Sequence, residues 1–356
     1  MAIANDTTTR NGAQRTMIAP VITILPKPRF WSTYMMTGSP DLLPSRFVRW
    51  DYLTKGNPKA HFVGEGLTVP PTERGKFKTA EIETPKYQHR KILGMDDLEE
   101  RQPGEPTGSM PPEMFKSIQE RAGNLEAEDD IECIEAVAEL REIITANFLF
   151  NGVVEVEGYG VNRLIDYSLP NKIQLLGGDR WGEVGVDPME DLREWCGSLE
   201  DLSFDPVEII MSREAWNFLE NDEKWMKQLD NLRTEKGRFA PEKAAEYGNA
   251  AYQGTMRDPF VDIYVQRSKY FDDVTQTMKR HIPAYSMIIV TPESRRNKFA
   301  YGAIDYQEGG VKKSVSGEFI KERWYDDRAG TTEIVVTSRA VPKPGNLNSW
   351  LVATVR

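Results

Sequence analysis

Three histidines, two cysteines and a ladder of glutamates are the residues of this 356-residue chain whose types and spacing suit chemistry. Glu128, Glu132, Glu135, Glu139 and Glu142 recur three and four positions apart, so a helix would set them side by side on its surface. Carboxylates arranged that way hold paired metals in helix bundles when partner helices add Glu-x-x-His pairs. No Glu-x-x-His occurs in this chain, and the pattern reads as a solvated helix face. His61 and His89 fall in extended segments and His281 precedes a strand, so none is placed as a general base. Cys133 and Cys196 are too few for a disulfide framework or a zinc site. Asp326 and Asp327 stand together as a glycosidase pair might be sought, but acidic neighbours are common in an acidic chain. Trp195, Trp216 and Trp225 fall in helix-patterned stretches, where aromatic residues more often build a core than a ligand pocket.

Phosphate-cradling glycine loops, the dinucleotide fingerprint, the nucleophile elbow, the zinc-protease helix and Cys-x-x-Cys are all missing from the sequence. The expectation is a chain with no catalytic residue, no metal site and no cofactor, one patterned to fold and to assemble. No apolar run approaches the roughly 20 residues of a membrane span. The polar start, MAIANDTTTRNGAQR, lacks the apolar stretch of a secretory signal, and with only two cysteines a reducing cytoplasm is the expected home. The net charge of −10 is concentrated: Asp96 to Glu142 holds 15 acidic and 4 basic residues, leaving 40 and 41 elsewhere. Clustered cations able to displace the counterions of duplex DNA are not evident.

The elements that must position these residues follow from patterning. Prolines at 20, 26, 28, 40 and 44 read as an extended arm with little room for a helix or an inner strand. RFVRWDYL (46–53) and KTAEIETPKYQHRKIL (78–93) alternate as two extended limbs. Between them, HFVGEGLTVPPTERGKF is a Gly/Pro-rich tip that cannot bury itself. A helix is expected within 111–150, its second part capped at Asp129 and Asp130 and stopped by Gly152. Ile131, Ile134, Val137, Leu140, Ile144 and Phe148 would form its apolar face. Asp187 and Pro188 open a second helix, with Met189, Leu192, Trp195 and Cys196 facing inward. VEIIM, FVDIYVQ and AYSMIIVTP read as strands, as do TTEIVVTSRAVP and the terminal WLVATVR, which should be tied into a sheet.

An isolated two-stranded ribbon is marginal in water, so the paired limbs need a surface to lie on. Phe62, Val63 and Phe77 give them apolar groups, and Lys59, Arg74 and Lys76 give them charge. A neighbouring copy that presents acid is the expected receiver, through the helix face of Glu128, Glu132, Glu135 and Glu139.

The order of these parts resembles the phage lambda major head protein (protein E) family. The residues that carry the likeness are VRWDYLTKGNPKAHFVGEG with ETPKYQHRKI, the Glu-rich helix ending in FLFNG, VEIIMSREAWNFLEND, FVDIYVQRSKYFDD to IPAYSMIIVTP as a hairpin-like pair, FAYGAID, and KERWYDDRAGTTEIVVTSRAVPKPGNLNSWLVATV. They cover roughly residues 45–356, and residues 1–45 match only as an arm. What the resemblance implies is an α+β Hong Kong 97-type phage capsid fold. Residues 1–49 would be an N-terminal arm, 50–92 an extended loop, 93–184 a peripheral domain with a long spine helix, 185–300 an axial α/β domain, and 301–356 the strands returning to the peripheral domain. The function implied is a non-enzymatic major capsid protein, assembling as hexamers and pentamers into an icosahedral shell around double-stranded DNA. Scaffolding and portal proteins would be partners, a decoration protein possible, and a membrane not involved. An encapsulin-type nanocompartment shell, a phage tube or connector protein, and a carboxylate-dependent cytoplasmic hydrolase are the alternatives. Lys55 and Lys59 with Asn346 and Asn348 offer the residue types of a subunit crosslink, which the lambda-type heads do without.

Overall fold

A computed structural model describes residues 9–10, 13–17, 29–54, 76–99, 118–227, 250–272, 275–308, 311–326 and 328–356. One helix, Ile118–Asn151, organises them. Its 34 residues span about 50 Å at 1.5 Å per residue. Gly152 ends it as the sequence suggests: its φ of +69° is the left-handed conformation, and its N–H bonds Phe148 O at 3.1 Å.

The first half of this helix lies on a five-stranded sheet ordered Thr9–Arg10, Ala13–Met17, Ile320–Asp326, Thr331–Ser338, Tyr87–Leu93. Cys133, Ile134 and Val137 pack against Ile334 and Val336. The sheet's other face carries Ile92, Glu333 and Trp324, directly opposite one another in register. Such alternation is expected of an antiparallel sheet covered on one side.

The helix then runs into a second core, where Phe148, Leu149 and Phe150 are consecutive and all buried. Phe150 meets Trp31 edge-on at 5.1 Å, and Phe148 meets Tyr167 and Trp350 at 4.7 and 5.6 Å. This core backs a six-stranded sheet ordered Ala250–Arg257, Phe260–Gln266, Glu208–Met211, Ser286–Val290, Leu351–Thr354, Lys172–Gln174. Ile210, Ile288 and Val352 face the long helix's end. Ile209, Met287 and Leu351 face the opposite way, onto the helices Pro188–Asp201 and Arg213–Glu220. Covering on both faces explains why 209–211 and 287–290 read as unbroken apolar runs. Asp187 caps the first of these helices by accepting from Met189 N at 3.1 Å, and Trp195, Trp216 and Trp225 are core, as the pattern predicts.

Several elements differ from the sequence reading. Asp129 and Asp130 lie inside the long helix rather than at its start, because side chains that can cap a helix can equally pair with cations across it. Ile131 and Leu140 are exposed at 40% and 39%, while Asp130 and Glu142 occupy buried positions. The run 78–93 is two strands: Lys76–Glu83 pairs with Phe47–Thr54, whereas Tyr87–Leu93 joins the five-stranded sheet. FVDIYVQ and the 286–290 strand do not pair, since Glu208–Met211 lies between them. Residues 301–356 divide between both sheets, with Leu351–Thr354 inside the six-stranded one. The arm also contributes core: Phe30–Tyr34 is a short helix, and Trp31 and Met35 are wholly buried.

Candidate assembly surfaces

Phe47–Thr54 and Lys76–Glu83 form an antiparallel ribbon with register from Phe47↔Glu83 to Thr54↔Lys76. Eight residues a side give it about 27 Å of length at ~3.4 Å per residue. Among the described residues neither strand pairs with any other. Its base is anchored. Val48 and Trp50 are buried, Trp50 stacks on Tyr167 at 5.9 Å, and Thr84 Oγ1 donates to Arg46 O at 2.9 Å. Arg163 reaches Glu83 at 2.8 Å from the adjoining hairpin Val153–Gly158 and Val161–Asp166. Lys76 and Phe77 open the second strand, opposite Thr54 and Leu53. Lys59, Phe62, Val63 and Arg74 lie outside the described residues, as do Lys55 and His61.

The acids of the long helix are distributed by which face they reach. Asp130 Oδ2 accepts from Lys321 Nζ and from Arg323 Nη2, the latter at 3.1 Å, and Arg323 Nη1 also reaches Glu126 at 2.6 Å. Lys91 lies 3.0 Å from Asp129 and also pairs with Glu132. Lys91, Lys321 and Arg323 all come from the face of the five-stranded sheet turned toward the helix. Of the predicted contact residues, Glu132, Glu135 and Glu139 line one groove of about 600 Å³, between the helix, the 87–93 strand and the hairpin Lys269–Asp272 and Thr277–Arg280. Glu128 is exposed and is not among the residues lining it. Sequence reasoning found the acids but not the cations that hold them, because those lie 38 to 197 positions away along the chain.

Glu139 and Glu142 fasten other segments to the helix. Glu142 accepts from Trp31 N at 2.5 Å and Ser32 N at 2.8 Å, holding the first turn of the 30–34 helix, and burial pushes its carboxyl pKa up. Glu139 meets Arg29 at 2.7 Å and His281 Nε2 at 3.0 Å, and His281 Nδ1 lies 2.9 Å from Ser268 Oγ. Serine, histidine and carboxylate in that reach are the parts of a hydrolytic triad. Here the serine also receives a hydrogen bond from Gln266, the carboxylate is shared with Arg29, and neither Ser268 nor His281 is among the residues lining that groove. The arrangement ties the arm and the 267–281 segment to the helix.

Burial alone would raise the Glu139 pKa, but the His281 hydrogen bond and the Arg29 cation outweigh it and hold the group below its ordinary 4.5. A carboxylate depressed in the folded state stabilises it above the unfolded value and loses that contribution as pH falls through the folded one. Glu139→Gln is therefore expected to cost about 1–2 kcal/mol at neutral pH. The gap from the parent should close as the pH is lowered below about 4. Thermal melts of both proteins across that range check it; a gap independent of pH would remove the charge from the explanation.

A family model described as phage major capsid protein E matches residues 15–355, almost the whole chain. The chain belongs to that family. Its fold matches a solved structure described as a prophage capsid protein of E. coli CFT073, at TM-score 0.65 and 18% identity, covering 93% of this chain and 94% of that one. The cyanophage P-SCSP1u capsid aligns at TM-score 0.47 and 9% identity over 94% and 90%. The capsid of Myoviridae phage XM1 aligns at 0.46 and 10% over 100% and 97%. No curated protein matches the sequence. As a phage major capsid protein the chain is structural: its family builds the virion shell by oligomerising. The mixed helix-and-sheet architecture is that of Hong Kong 97-like capsid structures. Among the described residues no helix is long and apolar enough to cross a membrane.

Proposed function

We propose that this chain is the shell subunit of a tailed-phage head, assembling as hexamers and pentamers into an icosahedral shell that encloses double-stranded DNA. Assembly would take place in the host cytoplasm, with scaffolding and portal proteins as partners and room for a decoration protein. The ribbon of 47–54 and 76–83 carries the reading: its base is anchored in the core, yet no second sheet continues it among the described residues. It serves as the extended loop that overlaps an adjacent subunit. The long helix with the five-stranded sheet forms the peripheral unit, and the six-stranded sheet with its helices forms the axial unit around the capsomer axes. Lys91 already engages Glu132 and Arg29 engages Glu139, so these two acids contribute less to a neighbour's contact than their sequence pattern suggests.

Negative-stain electron microscopy and sedimentation of the protein, expressed alone and with its scaffold, test this. Closed shells tens of nanometres across, or sheets and tubes of hexamers, are expected. A uniform small oligomer under both conditions would overturn it, and shells filled with cargo protein instead of DNA would move it to the nanocompartment class.

A further inference from the structure

Three segments of chain converge where the ribbon leaves the body. Thr84, which follows the second strand, is 2% exposed and lies against Gly302, itself buried. Gly302 N donates to Arg339 O at 2.9 Å, and Ala303 N donates to Ser45 O at 3.1 Å, just before the first strand. A side chain at residue 302 would overlap Thr84 Oγ1 and put its Cβ 3.1 Å from Thr84 Cβ and 3.2 Å from Thr84 Cγ2. Only glycine lets the two backbones approach this closely. Thr84 is not free to turn aside, because its N–H and its hydroxyl both donate to Arg46 O, at 2.8 and 2.9 Å. An added methyl would be relieved by moving the base of the ribbon as a unit.

Charge crosses the same base in an alternating chain. Asp305, on the hairpin Ala303–Glu308 and Val311–Ser316, pairs with Arg46 at the entrance to the ribbon. Asp305, and after it Glu83, raise the Arg46 pKa, so Arg46 also feels the acid at the ribbon's exit. Glu83 pairs in turn with Arg163. One hairpin is thereby joined to another through both strands of the ribbon. The Arg46, Asp305 and Arg163 side chains are 50%, 49% and 47% exposed, and pairs as open as these add little to stability. What they fix is direction, since each holds the ribbon from a different hairpin.

We infer that the contact of Gly302 with Thr84 is the pivot that sets the inclination of the ribbon, that the chain Asp305–Arg46–Glu83–Arg163 holds it at that angle, and that this angle sets the curvature of the assembled lattice. The inference rests on the shell-subunit reading. A contact between unlike surfaces closes or runs open according to the rotation it imposes between copies. A ribbon laid on a neighbour carries that rotation. Gly302 and Thr84 are positioning residues: buried themselves, they act on the neighbour only through the ribbon.

The test reads the ribbon's angle and the particle's shape separately, in the full chain expressed with its scaffold. Spin labels go on Thr79→Cys in the ribbon and Leu202→Cys in the body, both exposed positions, and labelled chains are diluted with unlabelled ones; the native Cys133 and Cys196 are buried. Thr79 stands about 17 Å along the ribbon from Thr84, so a tilt of about 15° moves it by about 4 Å. Gly302→Ala should shift the label separation by that order and cut closed shells of the parental diameter at least tenfold, in favour of tubes, sheets or shells of another size. Adding Thr84→Ala, which removes the obstructing hydroxyl and methyl but keeps the backbone bond to Arg46 O, should return both readings to the parent's. Arg163→Glu, at an exposed side chain, should shift the separation and the particle shape with the melting temperature near the parent's, a split that loss of folding would not produce. A parental separation in Gly302→Ala, or a folded double variant that does not recover, would overturn the pivot. A shifted separation with normal shells would overturn the link to curvature. Should Gly302→Ala not fold, Arg163→Glu decides, and a parental separation with parental shells overturns the whole account. Absence of particles from the parent itself would overturn the shell reading, and the label separations would still decide the pivot.

Discussion

Asp130→Ala is expected to destabilise the subunit by about 3–5 kcal/mol, because it removes one side of a buried ion pair and leaves the other. Lys321 and Asp130 are 3% and 8% exposed, and Arg323 shares the same carboxylate oxygen. After the substitution Arg323 keeps Glu126, but Lys321 has lost the carboxylate it was paired with. In a chain this long the loss should appear as a fall in melting temperature of roughly 5–10 °C. The double variant Asp130→Leu with Lys321→Met should regain most of it, since two apolar groups need no charge partner. If Asp130→Ala melted with the parent, water would have to reach Lys321, and the charged contact would not be holding the helix to the sheet.

That contact shows where the sequence is legible and where it is not. The acid-rich stretch is plain from composition, and Glu126, Asp129, Asp130 and Glu132 do fall on one long helix. Their partners arrive from strands 87–93 and 320–326, and nothing local in either strand announces which acid it will meet. Local signals were reliable where the physics is local. Gly152 stops the helix through its own left-handed backbone, Asp187 caps the residues just after it, and FVDIYVQ is a strand from its first residue to its last. Pairing order is different. Glu208–Met211 lies between 260–266 and 286–290, and the chain's last strand sits inside the sheet, because a buried apolar run fits any interior position of a sheet covered on both faces. Prolines hid the core role of Trp31 and Met35, which owe their burial to Glu142 holding the turn they belong to. The order of the parts along the chain was enough to place the family, even though the neighbours of each part were not.

Shortening the ribbon should separate folding from assembly. Leu53 and Phe77 stand directly opposite each other, so Asn-Gly in place of residues 54–76 would join them through a two-residue type I′ turn that keeps the strand twist. The base contacts of Val48, Trp50 and Thr84 remain, so the melting temperature should stay within a few degrees of the parent's. Particles, in contrast, should be lost. The finer version, Phe62→Ser with Phe77→Ser, keeps the full length and removes only apolar groups. Each phenylalanine set down on a neighbour would withdraw surface worth about 1.5–3 kcal/mol. Beyond its anchored base, a ribbon that is marginal alone has little to hold it in place. In the proposed shell every copy would both give and receive this contact, so the loss would recur around each ring rather than at one interface, and assembly should fail well before the subunit does. Sedimentation of the two variants beside the parent decides the matter: normal shells from the shortened chain would mean that the ribbon is dispensable, and that the contacts between copies are carried by the body of the subunit.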